Sequence, residues 1–248
     1  VTDTAGGTVT FNKALDAGSI TVSAGDAVVV NQNLSTTAVN TSGGGAGSNA
    51  VSGGVTLTAA GSISGAGTIS TGSATADDAS TGGTSTTATS GSISLTATGA
   101  NVQLGKLTTG AATVSNVNEG ASTDTATAGT ISLSGASLGT STGTPQTLAL
   151  GSGTGGAASV GGLLNLTATA GNIFVSSDAA LRVKDLTTQA ATANTVDIRT
   201  TGGKAIVFDS TGTYANVSGS GTANNGDAIN VVTDTAGGTV TFNKALDA

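Results

Sequence analysis

Short runs of alternating aliphatic and small polar residues recur along the chain. In GSISLTATGANVQLGKLTTG (91–110), Ile93 and Leu95 alternate with Ser and Thr, and a second alternating stretch begins at Val102 after the turn TATGAN. A period of two residues is typical of a β-strand that buries one face. The segment LLNLTATAGNIFVSSDAALRVKDLTT (163–188) follows the same plan. The pattern predicts strands of about five residues separated by tight turns, and no helix.

The strand core recurs at irregular intervals. Its copies are VTLT (55–58), ISLT (93–96), ISLS (131–134), LNLT (164–167), VDIR (196–199) and VTFN (240–243). Their starts are separated by 38, 38, 33, 32 and 44 residues, and a further 46 residues complete a longer period of 231. The spacing predicts about six irregular units of 32–46 residues in each long period, with no globular domain boundary.

The longer period is set by a verbatim copy. The stretch VTDTAGGTVTFNKALDA occupies residues 1–17 and again residues 232–248. INVVTDTAGGTVTF (229–242) crosses into the second copy without a linker composition. We therefore expect 1–231 to be one full repeat and 232–248 to be the start of the next identical repeat. One long tandem chain is favoured, and short subunits that polymerise end to end are the alternative.

Equivalent units in series favour a β-solenoid among all-β folds. A sandwich or a barrel needs edge strands that differ from its middle, whereas a solenoid stacks equivalent coils. The aliphatic residues of the alternating runs are then predicted to point inward and form the core. These residues are Val9, Phe11, Val55, Leu57, Ile93, Leu95, Val102, Leu104, Ile131, Leu133, Leu164, Leu166, Ile173, Val175, Val196 and Ile198.

Composition adds a competing possibility. Gly occurs 40 times and charged residues make up 8%, against roughly 25% in an average globular domain. A disordered low-complexity linker and a regular β-structure with small-residue turns both suit such a mixture. In the tracts 72–91 and 111–129 the alternation is weak, which predicts side loops or poorly patterned outer strands.

The residue types present exclude several function classes. With no Cys, neither a disulfide framework nor a thiolate metal site can form, and with no His the commonest general base is missing. We predict no catalytic residues, no cofactor and no enzymatic activity. A net charge of −7 with seven Lys and Arg argues against nucleic acid as a partner. No apolar run approaches the ~18 residues of a membrane-spanning helix, so no membrane insertion is predicted for this segment.

Few residues could carry binding chemistry. Asp77 and Asp78 are the one adjacent acidic pair and are weak candidates for a cation site, but a solvated loop tip is the favoured interpretation. Arg182, Lys184 and Asp185 form the one charge cluster, which predicts a surface ion pair. No metal site is predicted beyond the weak aspartate candidates.

The stretches GSISLTATGANVQLGKLTTG and GGLLNLTATAGNIFVSS resemble repeats of the filamentous haemagglutinin-type exoproteins, the giant β-strand-repeat surface adhesins of Gram-negative bacteria. The resemblance implies a right-handed parallel β-helix, an extracellular location on or near the cell surface, and a role in adhesion or the biofilm matrix. The expected function is the shaft of a long fibre whose main partner is itself, through successive repeats or through lateral and end-to-end contacts. The alternative is a binding module whose side loops, such as 72–91, engage surface glycans, other cells or neighbouring fibres.

Overall fold

The computed structural model describes residues 2–3, 6–41, 47–77, 85–115, 124–156, 158–188, 194–215, 228–234 and 236–246. Within these ranges the chain forms strands and turns, and no helix is present that could cross a bilayer. In chain order the strands are β1 (Thr2–Asp3), β2 (Val9–Phe11), β3 (Leu15–Ala17), β4 (Ile20–Ala24), β5 (Val28–Val30), β6 (Leu34–Thr36), β7 (Val39–Thr41), β8 (Asn49–Val51), β9 (Val55–Ala59), β10 (Ile63–Ser64), β11 (Ile69–Ser70), β12 (Ala74–Asp77), β13 (Thr87–Thr89), β14 (Ile93–Ala97), β15 (Val102–Gln103), β16 (Leu107–Thr108), β17 (Ala112–Ser115), β18 (Thr125–Thr127), β19 (Ile131–Gly135), β20 (Gln146–Ala149), β21 (Gly153–Thr154), β22 (Leu164–Ala168), β23 (Ile173–Ser177), β24 (Leu181–Thr187), β25 (Thr195–Thr200), β26 (Ile206–Ala215), β27 (Ala228–Thr233) and β28 (Val240–Phe242).

These strands form five sheets, and every pairing between two named strands is parallel. In the order in which the chain meets them, the first sheet is β1-β4-β9-β14-β19-β22-β24-β26-β28, the second β2-β5-β10-β15, the third β3-β6-β11-β16-β20-β23-β25-β27, the fourth β7-β12-β17-β21 and the fifth β8-β13-β18. The chain passes through these faces in a fixed order, and each passage stacks on the last. The predicted fold class, an all-β parallel solenoid, is confirmed.

Four of the strand cores recognised in the sequence, at 55–58, 93–96, 131–134 and 164–167, lie side by side on the first sheet. Ile93 pairs with Val55 on one side and with Ile131 on the other, and Leu133 pairs with Leu166. Inward aliphatic residues therefore stack on one another from coil to coil. The outward positions are small polar residues, which suit a solvated strand face.

VDIR (196–199) lies on a different face of the coil from LNLT. Val196 pairs with Ile173 of β23 in the third sheet, whereas LNLT belongs to the first. The next first-sheet strand after β22 is β24, which starts at Leu181, 17 residues after Leu164 (181 − 164). Alternation identifies a strand, but it does not specify which face of the coil the strand occupies.

Two hydrophobic cores divide the wide coils into a body and an arm. The body lies between the first, second and third sheets and is filled with Leu, Ile and Val. The arm is formed by the fourth and fifth sheets, and its core consists of Ala50, Ala74, Ala76, Ala88, Ala112, Val114 and Ala126. Because alanine has so small a side chain, the two sheets of the arm can lie close together. The tracts 72–91 and 111–129 supply four of these strands, so their described parts are outer strands.

A neck of stacked glycines and buried hydroxyls joins the arm to the body. A Cβ on Gly91 would lie 2.1 Å from the carbonyl oxygen of Gly53, and one on Gly129 would lie 1.9 Å from that of Gly91. A Cβ on Gly110 would lie 2.3 Å from the carbonyl oxygen of Gly72. The chain can therefore stack on itself here only where it carries glycine.

Buried hydroxyl groups satisfy the backbone of the neck. The Thr71 hydroxyl donates to the Gly91 carbonyl at 2.6 Å and accepts from the Gly110 N–H at 3.2 Å. The Ser90 hydroxyl donates to the Gly110 carbonyl at 2.6 Å and accepts from the Gly129 N–H at 2.8 Å. Each hydroxyl thus bonds one backbone group across the neck and one in the next coil, and no buried polar group in these contacts is left unpaired.

The coil narrows beyond residue 162. The fourth and fifth sheets have their last strands at β21 and β18. The second and third sheets merge on β23, where Ile173 bridges through Leu138 to Val102 of the second sheet and Val175 pairs with Gln146 of the third. We call residues 20–162 the wide part and residues 163–246 the narrow part.

Candidate functional site

The predicted core residues lie in the body of the solenoid. All of them are buried except Val9 and Phe11, which are partly buried and pack against the same cluster. The fourteen buried positions thus serve packing and are not accessible to a ligand. Any functional surface has to come from outward side chains or from the two end faces of the stack.

The aspartate pair does not gather further ligands in the part of the chain that the structure describes. Asp77 ends β12 on the arm, where its Oδ1 accepts a hydrogen bond from the Ser115 hydroxyl at 3.3 Å. Asp78 lies outside the described residues. Among the described residues, no three or more acidic side chains lie close enough together to hold a metal ion.

The charge cluster pairs differently from the sequence expectation. Arg182 forms its ion pair with Asp209 of β26, at 2.5 Å from Nη2 to Oδ2, and not with Asp185. The Asp185 carboxylate instead accepts the Thr213 N–H at 2.9 Å. The Thr211 N–H and hydroxyl, followed by Arg182, hold the pKa of Asp209 below its usual value. These contacts connect two neighbouring coils, so their first consequence is structural.

A groove of about 490 Å³ lies where the wide part meets the narrow part. Leu150, Gly151 and Gly162 line it from the wide side, and Leu181, Arg182 and Lys204 line it from the narrow side. Asp178 also borders it, but Lys106 pairs with this carboxylate at 2.6 Å and lowers its pKa. The described lining contains no aromatic ring on which a sugar could stack.

The two ends of the stack carry most of the exposed apolar side chains. Five large hydrophobic residues of the described chain are exposed, and four of them belong to the two identical seventeen-residue copies: Leu15, Val232, Val240 and Phe242, the fifth being Val51. Phe242 is 50% exposed although one side of its ring stacks on Phe208 at 4.6 Å. Exposed apolar residues concentrated at a site in this way indicate an interaction surface.

The end strands also carry unused sheet edges. β2 pairs with β5 and has no other partner among the described strands, and β28 pairs only with β26. A free strand edge presents unpaired N–H and C=O groups that can add another strand. The end faces are therefore the candidate functional site, and the copy of 1–17 at 232–248 is the sequence signal that marks both.

No protein-family model, no curated protein and no solved structure matches this chain.

Proposed function

We propose that this chain is a section of the structural shaft of a long extracellular bacterial fibre or giant adhesin built from tandem 231-residue repeats. The observation that carries the proposal is a verbatim copy at the two ends of one continuous nine-stranded stack. At about 4.8 Å per strand, that stack extends roughly 38 Å along its axis. A rod of this kind lengthens by adding coils, and it needs neither a cofactor nor a reactive side chain.

The composition supports an external, self-associating rod. The core of the arm is built from alanine and one valine, and the outward Ser and Thr side chains stay solvated without a net attraction for nucleic acid. The resemblance to filamentous haemagglutinin-type repeats agrees with a surface location. In this proposal the shaft acts mechanically: it holds the far end of the fibre, and whatever that end contacts, at a distance from the cell.

The mass of the native polypeptide tests this proposal. An antibody raised against the 248-residue chain should detect, on a denaturing gel of surface extract, a band many times heavier than 23.0 kDa. Surface proteolysis of intact cells should remove that band. A native polypeptide near 23 kDa, or one protected inside the cell, would contradict the proposal.

A binding module is the second candidate, because in three successive coils a fourth-sheet strand of the arm is followed in the chain by a fifth-sheet strand: β7 by β8, β12 by β13 and β17 by β18. In this second function the segments that join these strand pairs engage glycans or neighbouring fibres. Glycan-array binding that is lost when 78–84 is replaced by a Gly-Ser linker, and kept when the turn at 140–144 is replaced, would favour this function over a purely mechanical one.

A further inference from the structure

The two identical copies occupy different faces of the coil. In the copy at 1–17, Val9–Phe11 lies on the second sheet and pairs with β5. In the copy at 232–248, the same three letters at Val240–Phe242 lie on the first sheet and pair with β26. The preceding strand differs in the same direction, because Thr2–Asp3 belongs to the first sheet and Val232–Thr233 to the third.

The two copies use opposite edges of the strand. In the first copy the Val9 N–H donates to Ala27 at 2.9 Å, and the Phe11 carbonyl accepts from Asn31 at 3.0 Å, so both groups face the following coil. In the second copy the Thr239 carbonyl accepts from Ile206 at 2.9 Å, and the Asn243 N–H donates to Phe208 at 3.1 Å, so both face the preceding coil.

These backbone groups do not overlap. Thr239 and Asn243 correspond to Thr8 and Asn12, which alternate along the strand with Val9 and Phe11. One strand could therefore make both sets of hydrogen bonds at once, with no N–H or C=O group used twice. This is the alternation that an interior strand of a parallel sheet requires.

The side chains and the turn agree with such a double use. Val240 and Phe242 stack on the inward residues Ile206 and Phe208, and their counterparts Val9 and Phe11 stack on the inward residues Val28 and Val30. The glycine before the strand has a positive φ in both copies, 83° at Gly6 and 92° at Gly237.

The corner after the strand holds the second copy against the last coil. Lys244 Nζ donates to the Gly212 carbonyl at 2.7 Å, at the point where β26 turns between its two paired segments. Leu246, the counterpart of Leu15 in β3, then packs against the body core. The second copy thus lies on top of the last coil with strands on two faces, the third sheet and then the first.

We propose that successive repeats join through this seventeen-residue segment and that each sheet continues under a new position at the junction. The first sheet of one repeat continues as the second sheet of the next, and the third sheet continues as the first. We call this a face-advanced junction. The occupant of each end face is a second copy of this repeat. The exposed half of Phe242 is then covered by the next repeat, in the coil that contains Val30. The arm emerges on a different side of the rod in each repeat. The inference rests on the proposed function, because it assumes repeats in tandem.

A two-repeat protein, residues 1–231 followed by residues 1–248, tests the junction. The chain has no Cys, so introduced pairs report without background. The first pair is Val207→Cys in the first repeat and Thr241→Cys in the junction strand, counted along the joined chain, where this threonine is also Thr10 of the second repeat. This pair joins the junction strand to the first repeat. The second pair is Asn12→Cys with Asn31→Cys, both in the second repeat, and it joins the same strand to the second repeat. Val207 pairs with Thr241 across adjacent strands, and the Asn31 amide donates to Asn12 Oδ1 at 2.8 Å, so both pairs are within reach of a disulfide. The same pairs in the 248-residue chain are the matched controls.

We expect both disulfides to form within one two-repeat molecule that carries all four substitutions, mapped by peptide mass spectrometry, and we expect electron microscopy to show the two arms on different sides. Loss of the 207–241 disulfide in the two-repeat protein, while it forms in the 248-residue chain, would overturn the inference. Disulfides between molecules, or arms aligned on one side, would also overturn it. The native mass remains a separate measurement, so a face-advanced junction in a protein of low native mass would leave the geometry standing and remove the fibre function.

Discussion

The wide part and the narrow part of the solenoid are stabilised by different interactions. In the wide part, β14 follows β9 by 38 residues and β19 follows β14 by 38 (93 − 55, 131 − 93), and each coil places Gly and a buried hydroxyl at the same positions of the neck. In the narrow part, the first-sheet ladder shifts register between Leu164 and Asn165 and again between Val183 and Asp185. Where the coils have equal length, the same small residues recur at the same positions and the ladder keeps its register.

Where the coils differ in length, contacts of a few large side chains connect neighbouring coils. Tyr214 and Phe208 pack edge to face at 5.7 Å, and the Tyr214 hydroxyl lies 3.0 Å from the Val183 carbonyl and 2.9 Å from that of Asp209. The Arg182–Asp209 ion pair spans the same shift. The comparison indicates that stability is spread over many repeated contacts in the wide part and is concentrated in a few side chains in the narrow part.

Truncation of the main aromatic residue should break the narrow part selectively. Phe208→Ala removes a fully buried ring, and we expect the free energy of unfolding of this part to fall by about 3–5 kcal/mol. Hydrogen exchange with mass spectrometry should show lost protection in β24 and β26, with β9 and β14 unchanged. Phe174→Ala is the control, since that ring points outward and is half-buried. Equal losses for the two variants would contradict a concentrated core.

A methyl group in the neck should have the next largest effect. Gly91→Ala would place a Cβ against a backbone oxygen that cannot rotate away, and we expect a loss of about 3 kcal/mol by overpacking. Urea unfolding followed by circular dichroism measures it.

Gly18→Ala is the matched control for the neck. A Cβ on Gly18 meets nothing within 4 Å, so the variant should be neutral or slightly more stable, because alanine restricts the unfolded chain. If both variants lose stability equally, the stacked glycines are not what holds the coils together.

The repeated part of the fold could be predicted from the sequence because alternation and spacing report one physical fact, burial of every second residue. Ile93, Leu95 and their counterparts follow from that pattern alone. The face on which VDIR (196–199) lies did not follow from the pattern, because strands on different faces of the coil can show the same alternation. The choice between them depends on coil length, which changes where the second and third sheets merge at Ile173.

The neck and the end faces needed the structure, although each has a sequence signal. Gly53, Gly91 and Gly129 are spaced by 38 residues, as are Thr71 and Thr109, but glycine is so frequent in this chain that the columns do not stand out. The copy at 232–248 can be read from the sequence, whereas the face on which each copy lies depends on the neighbouring coil. The partner of Arg182 is likewise 27 residues away at Asp209, beyond the reach of a local charge pattern.

Removal of one neck hydroxyl should cost less than a steric clash. Thr71→Val keeps the shape of the side chain but leaves the Gly91 carbonyl and the Gly110 N–H without this partner, and we expect a loss of about 1–3 kcal/mol. Thr75→Val on the outward face of β12 is the control and should change stability by less than about 0.5 kcal/mol. The same urea titrations compare the two, and a neutral Thr71 variant would show that the hydroxyl ladder does not contribute.

The smallest effect should come from the hydroxyl of the single tyrosine, and it should depend on pH. Tyr214→Phe removes one hydrogen-bond donor, with an expected loss of about 1 kcal/mol at neutral pH. Burial, followed by the charge of Asp209, raises the pKa of Tyr214 from 10.0 to about 12. The folded state therefore holds the phenol proton more tightly than the unfolded chain does, so the stability that this proton contributes is complete below pH 10 and is lost as the pH rises through about 12.

Two measurements check this last prediction. Absorbance at the phenolate band should report a midpoint near 12 in the folded protein and near 10 in urea, without interference because the chain has one Tyr. Unfolding free energies of the wild type should decrease more steeply than those of Tyr214→Phe between these two pH values, since the phenol is the one ionisable group in which the two proteins differ. A midpoint near 10 in the folded state would mean that the ring is solvated and that Tyr214 does not close the register shift of the narrow part.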